Sequence, residues 1–285
     1  MVIEETALLM KTMIKIVLIA TIFIQASATH CRGEEPRTWH EVEPQGPEGL
    51  CSVETWKTNF PGCEFEDGVS EGHLGQISYQ NDRFWRVTCS ARGIGPEQGG
   101  VGWRWPFPQS KSSSKPWQEL EVRYTVHFEK GFDFVKGGKL PGLCGGPKTI
   151  TGGDQCTGYD GWSVRIMWRR DGRGQAYAYH PRMKGKYGDE YDFPQEFRFP
   201  VNQPVQLRMS VRMNDINDTN GSLRVWVRLP GQAEQLVIER LEMQWTKSSE
   251  IGVDSLLFNV FHGGNDRSWA PMNNCDVRIG ALGYR

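Results

Sequence analysis

Alternation of apolar and polar residues with a period of two dominates the chain from about residue 119 onward. Leu120, Val122, Tyr124, Val126 and Phe128 interleave with Glu121, Arg123, Thr125 and His127, the signature of a strand with one face buried. The same rhythm returns in three further runs. Val164, Ile166 and Trp168 oppose Ser163, Arg165, Met167 and Arg169. Val205, Leu207, Met209 and Val211 oppose Gln206, Arg208, Ser210 and Arg212, and Leu223, Val225, Val227 and Leu229 oppose Arg224, Trp226 and Arg228. Residues 256–261 and 277–282 add late strand-like segments. No helical periodicity intervenes, and Gly, Pro and Asn punctuate the runs. This pattern predicts an all-β fold, an antiparallel β-sandwich or β-jelly roll. Residues 30–110 are less regular: aromatic clusters such as Phe84-Trp85 and Trp103-Arg104-Trp105 suggest short strands among long loops.

Composition narrows this picture. A chain of 285 residues, 38% hydrophobic and 24% charged, is long enough for one domain with a full core. Its formal net charge of -1 supplies no global basic field, so neither nucleic acid nor a membrane surface is expected as a partner. Lys11 and Lys15 flank the start of an apolar run over 16–24, and Ala26-Ser27-Ala28 has the small-residue pattern of a cleavage site. Residues 1–28 therefore read as a secretory signal peptide, too short in its apolar part to span a bilayer, and a secreted, extracellular protein is expected. The remainder, 29–285, reads as one β-jelly-roll domain whose part up to about 115 is Cys-rich and loop-rich. In an oxidising compartment its seven cysteines, Cys31, Cys51, Cys63, Cys89, Cys144, Cys156 and Cys275, are expected to pair with one left over, and Cys144 with Cys156, in one Gly-rich loop, is the favoured pair. No Cys/His spacing suggests a metal, and no cofactor is expected. The sequons at Asn217 and Asn220 fall in a polar turn, where a glycan is expected.

Candidate chemistry gathers between residues 132 and 181. The loop Arg170-Asp171-Gly172-Arg173-Gly174 carries hairpin turn residues. If those five residues are the loop, Met167 faces Tyr177 and Arg165 faces Tyr179. Ser163, Arg165, Tyr177 and Tyr179 then share one face, with Val164, Ile166, Trp168, Ala176 and Ala178 on the other. Cations beside tyrosines suit removal of the C5 proton of a uronic acid, because the resulting carbanion adjoins a carboxylate that is already negative. A cation at the carboxylate lets the charge delocalise, and a neighbouring positive charge lowers a tyrosine pKa from about 10. Two opposite charges ~4 Å apart near a surface interact by roughly 4 kcal/mol, enough to matter.

Three segments resemble successive motifs of polysaccharide lyase family 14, the alginate lyases of herbivorous marine molluscs and of a chlorella virus. They are Lys136-Gly137-Gly138-Lys139-Leu140-Pro141-Gly142-Leu143, Trp162-Ser163-Val164-Arg165-Ile166-Met167-Trp168 and Ala176-Tyr177-Ala178-Tyr179-His180-Pro181. Phe258-Asn259-Val260-Phe261-His262-Gly263-Gly264 and Ser268-Trp269-Ala270-Pro271 resemble that family's C-terminal strand. The resemblance covers about residues 115–285. It implies a jelly roll whose concave face binds an acidic polysaccharide and cleaves it by metal-independent β-elimination, leaving a 4,5-unsaturated uronate end. Lys139 is then the essential cation, Arg165 the partner of the substrate carboxylate, and Tyr177 and Tyr179 the proton-transfer pair, with Tyr179 ranked first because the expected register sets it opposite Arg165. Ser163, Lys136, His180 and Trp162 are implied on the substrate-binding side, and the chain is expected to act as a monomer. Alginate, as poly-mannuronate, is the leading substrate, followed by glucuronan or another polyuronate. Asn265-Asp266-Arg267 stand where that family carries small Ser-rich residues.

Two other classes compete. A glycoside hydrolase needs two carboxylates on one face, roughly 5–9 Å apart. The nearest candidates, Glu190, Asp192 and Glu196, are interrupted by Pro194. A non-catalytic, lectin-like jelly roll would use the Trp supply to stack on sugars but has no need for Lys139, Arg165, Tyr177 and Tyr179 together.

Overall fold

The alternating runs become strands whose apolar faces meet in one core. The computed structural model describes residues 38–113 and 115–285. The proposed signal segment 1–28 and Cys31 lie outside the described residues. Trp39–Arg285 form one compact unit. Among the described residues fifteen strands run in chain order: β1 His40–Val42, β2 Gly49–Leu50, β3 Leu74–Tyr79, β4 Asp82–Cys89, β5 Gly100–Pro106, β6 Glu119–Phe128, β7 Gly137–Gly145, β8 Trp162–Arg169, β9 Gly174–Tyr179, β10 Asp189–Asp192, β11 Pro204–Arg212, β12 Gly221–Arg228, β13 Gln235–Met243, β14 Ser255–His262 and β15 Cys275–Tyr284.

They build two antiparallel sheets, as the all-β sandwich reading requires. The larger has the order β13-β12-β11-β6-β15-β4-β3-β2, with β1 also pairing β15. The smaller has the order β10-β9-β8-β7-β14-β5. Hairpin neighbours such as β7-β8-β9-β10 alternate with crossovers such as β11-β6, β6-β15 and β7-β14, where strands distant in sequence meet and register is fixed by burial of alternate residues. Val122, Val126, Leu207, Val211, Leu223 and Val225 from the larger sheet are buried against Val164, Ile166, Trp168, Ala176 and Ala178 from the smaller.

The region read as irregular supplies strands to both sheets. Trp85 of β4, Trp103 of β5, Phe258 of β14 and Phe60, just after a short helix over Val53–Asn59, form an aromatic layer between the sheets, with Trp103 stacked on Phe258 at 4.2 Å. Aromatic pairs of this kind add about 0.5–1.5 kcal/mol beyond their buried area. Cys144 and Cys156, expected to pair, are separate thiols, one bonded to the Ser255 carbonyl and the other to the Gly161 carbonyl. Burial pushes both thiols up to about 12. Asn217 and Asn220 sit in the turn between β11 and β12, where Asn217 is exposed and both amide atoms of Asn220 are bonded to Asp215.

Candidate active site

On its outer face the smaller sheet carries a groove of about 520 Å³ whose floor includes Lys139, Arg165, Met167, Arg169, Tyr177 and Tyr179. Each reaches it through strand parity. Arg165, Met167 and Arg169 are the outward set of β8, and Tyr177 and Tyr179 that of β9. Parity alone would not settle Lys139, because Pro141 follows it within β7. Proline has no N–H to give the ladder. The strand answers with a bulge: Lys139 pairs Met167, yet Gly142 already pairs Arg165, so β7 holds one residue more than β8 over this stretch. The Tyr124 hydroxyl donates across the sandwich to the Pro141 carbonyl at 2.9 Å, which satisfies the displaced backbone. Gly138 is required here because any Cβ would lie 2.1 Å from the Trp168 ring. The bulge thus falls at Leu140-Pro141. Lys136 precedes β7, outside the groove lining, with its ammonium bonded to the Ser268 hydroxyl and 5.7 Å from the Trp269 ring.

The β8–β9 hairpin corrects the expected register. Arg165 faces Tyr177 and Ser163 faces Tyr179. A tight 3-10 turn over Arg170–Gly172, with Asp171 at φ 60°, closes the hairpin and brings the Arg173 carbonyl to the Arg169 N–H, so the loop is shorter than five residues. The shift is two residues, an even number, and the shared face survives it while the partners change.

Within the groove the Lys139 amine lies 3.9 Å from the centre of the Tyr177 ring and donates to the Met167 sulfur at 3.2 Å. Arg165 lies 6.0 Å from each tyrosine ring and donates to Asn259 Oδ1 at 3.0 Å. The tyrosine hydroxyls are 3.4 Å apart, and the Gly153 N–H donates to that of Tyr179 at 3.0 Å. Arg165 is only 3% exposed and has no carboxylate partner among the described residues. Lys139, half-buried, has none either. Burial, then the charges of Arg165 and Arg169, hold the Lys139 amine well below the usual lysine range. Burial, followed by the Tyr179 hydroxyl, pushes Tyr177 well up.

Other predicted residues lie elsewhere. Ser163 is fully buried and donates to the Ile150 carbonyl at 2.6 Å, holding the start of the loop that carries Gly153. Trp162 faces the core and donates to the Gly252 carbonyl. His180 is buried behind the groove, 3.1 Å from Asp189, with burial lowering its pKa. The groove also contains residues to which the sequence reading gave no role. Met167 and Arg169 alternate in register with Arg165, so their placement was implicit in the pattern. The rim formed by Thr151, Tyr187, Asn265 and Trp269, and the buried Asn259 of β14 that holds Arg165 from beneath, come from distant segments that no local pattern joins. Glu190 pairs with Arg169 at 3.6 Å and is the single carboxylate among the lining residues; Asp192 is bonded to Gln175 instead. A carboxylate pair for glycoside hydrolysis is thus missing from this lining.

The family model described as Polysaccharide lyase 14 matches residues 77–279. The chain is similar in structure to the PL-14 alginate lyase of the marine Aplysia kurodai, with a TM-score of 0.75 and 22% identity over 87% of this chain and 98% of the other. An alginate lyase from Chlorella virus gives 0.59 and 20%, covering 74% and 88%. An endo-beta-1,4-glucuronan lyase from the fungus Trichoderma reesei gives 0.53 and 10%, covering 88% and 95%. No curated protein matches the sequence.

Proposed function

The chain belongs to the polysaccharide lyase 14 family, and from that premise and the geometry of the groove we propose that it cleaves alginate, poly-mannuronate first, by β-elimination. The observation that carries this reading is the pair of basic side chains, Arg165 and Lys139, on the groove floor with no carboxylate in ion-pair contact among the described residues. A buried charge without a counterion is costly, and an anionic ligand relieves that cost. A uronate carboxylate laid against Arg165 has the right charge and shape for its planar guanidinium. The alginate lyases of similar fold favour alginate over glucuronan, which the fungal neighbour acts on and which is the second substrate to test.

In the reaction we propose, Lys139 rather than Tyr179 takes the C5 proton. Burial and the charges of Arg165 and Arg169 make this amine release its proton more readily than an ordinary lysine, which favours it as the base, whereas Tyr179 no longer faces Arg165 and is 1% exposed. The C5–H electron pair moves into the carboxylate, which Arg165 and the newly charged Lys139 stabilise. It then returns to form the C4–C5 double bond as the C4–O bond breaks. Tyr177, whose raised pKa keeps it protonated, gives its proton to the departing glycosidic oxygen. Cations thereby supply the charge neutralisation without a metal. The same reading includes export, with residues 1–28 removed before the enzyme acts outside the cell as a monomer.

The test is ultraviolet absorbance of the conjugated unsaturated uronate during incubation with poly-mannuronate, poly-guluronate and glucuronan in turn. A rise with poly-mannuronate is expected. A flat trace on all three, with the protein still retained on a polymer, would replace catalysis with carbohydrate binding.

A further inference from the structure

Two cysteines with no place in the proposed chemistry stand opposite each other. Cys89, the last residue of β4, is the register partner of Cys275, the first residue of β15. Among the described residues no other ladder sets cysteine against cysteine. Opposed residues in antiparallel strands have Cα atoms about 4.5 or 5.5 Å apart, and both spacings lie inside the roughly 4.4–6.8 Å that a disulfide spans. The thiols already interact directly, and the adjacent rung is fastened by the Thr88 hydroxyl on Asp276 at 2.6 Å.

Position gives the pair a purpose. The segment leaving Cys89 leads to Gly95, and the segment entering Cys275 comes from Asn265 and Trp269, all three of which line the groove. Only two hydrogen bonds are described between these segments, from the Arg92 N–H to the Pro271 carbonyl and from the Ala91 N–H to Asn274 Oδ1, each at 2.8 Å. Both segments are otherwise loop on one side and strand on the other, with the cysteines at the junction.

We propose that Cys89 and Cys275 form a disulfide that anchors these two walls of the groove. The oxidant is a small-molecule or protein disulfide, such as glutathione disulfide. Cys275, the more accessible at 8% exposure against 0% for Cys89, attacks as thiolate and expels one thiol of the oxidant, giving a mixed disulfide. Cys89 then loses its proton and displaces the second thiol. Two cysteine thiols have surrendered two electrons and two protons, and the oxidant has become two thiols. The Cys89 thiol, hydrogen-bonded to Cys275, lowers the pKa of Cys275 while its own is raised, which fits that order of attack.

The experiment uses the full chain equilibrated with glutathione disulfide, alkylated, digested and mapped by mass spectrometry without reductant. Peptides containing Cys89 and Cys275 are expected to appear joined and to separate on reduction. Because the link closes a long loop, Tm should rise by roughly 5–15 °C on oxidation. Amide exchange in residues 90–95 and 264–274 should slow. Separate alkylation of both cysteines after oxidation, or a link from either to another cysteine, overturns the pairing; unchanged exchange in the two segments overturns the anchoring. Mapping the wild-type chain requires no variant to fold. A Cys275→Ser chain, where it folds, should lose the oxidation-dependent rise in Tm. None of these readouts depends on lyase activity.

Discussion

The two faces of the sandwich carry grooves of nearly equal size, about 520 Å³ on the smaller sheet and 510 Å³ on the larger, and arginines and aromatics line both. On the larger sheet Arg208 is bonded to Glu121 and Glu234, Arg285 to Glu121 and Arg123 to Glu41. Trp39 is sandwiched between Arg123 at 4.3 Å and Arg285 at 4.5 Å, and Trp226 lies under Arg208 at 3.7 Å. On the smaller sheet Arg165 and Lys139 have tyrosines, an asparagine and a thioether in contact, and among the described residues neither makes an ion pair. Basic residues therefore do not distinguish the two surfaces. What does is whether the protein itself supplies the counterion. Arg123, Arg208 and Arg285 of the larger sheet are paired within the chain, whereas on the smaller sheet Arg169 is paired with Glu190 but Arg165 and Lys139 are left to be completed by a ligand.

The most severe test of that contrast removes cations from each side. Arg165→Ala should lower kcat/KM on poly-mannuronate by roughly 10²–10³-fold, as expected when a preorganised donor to developing charge is lost. Lys139→Ala, removing both base and cation, should cost roughly 10²–10⁴-fold. Arg208→Ala should leave turnover unchanged and cost about 1 kcal/mol or less in stability, measured by urea unfolding. Equal losses of activity from Arg165→Ala and Arg208→Ala would mean that both faces handle substrate.

A finer division runs within the active groove. Tyr177→Phe removes the proposed acid and should reduce kcat by roughly 10²-fold or more with little change in KM. Tyr179→Phe keeps the ring but loses the hydroxyl that receives the Gly153 N–H, so its effect should be smaller and reflected chiefly in KM through the loop over residues 150–154. Steady-state kinetics of the two variants decides the roles, and a larger kcat loss in Tyr179→Phe would restore that tyrosine as the reacting group.

The same register problem shows what could be read from the chain. Faces were legible: a period of two assigns Arg165, Tyr177 and Tyr179 to one side whatever the loop length, so long as the error is even. Partners were not, because they depend on whether the Arg170–Gly172 turn takes three residues or five, and Asp171 at positive φ is not a position that its sequence announces. The four strands read from clean alternation, β6, β8, β11 and β12, are present, and the two late strand-like segments are β14 and β15. β5 was obscured because its residues are buried on both faces, and alternation disappears where neither side meets water. Asn259 and Trp269 could not have been placed, since only the tertiary fold brings β14 and the segment after it alongside β7 and within reach of β8. The pKa inversion that favours Lys139 over tyrosine as base likewise arises from burial and from Arg165 and Arg169 together, a three-dimensional sum with no local signature.

The smallest expected effect is on stability rather than turnover, and it follows from that same inversion. In the folded chain Lys139 holds its proton less tightly than an unfolded lysine does. Between the lowered folded value and 10.5, the unfolded chain binds more protons, so stability should increase with pH across that window; the site's cost is greatest below the folded pKa. Lys139→Met keeps a long apolar side chain against Tyr177 and removes the proton linkage. At neutral pH this variant should therefore melt at a higher temperature than the wild type, by a few degrees, and the difference should narrow as the pH is raised toward 10.5. Calorimetry at several pH values measures both. The counterpart on the opposite face, Arg208→Met, should show the reverse sign, because there the substitution strands Glu234, whose carboxylate Arg208 holds below its usual range. A gain at Lys139 and a loss at Arg208 would express in melting temperature the distinction that kinetics expresses in turnover: a cation awaiting a ligand costs the free protein stability, and a cation already paired contributes it.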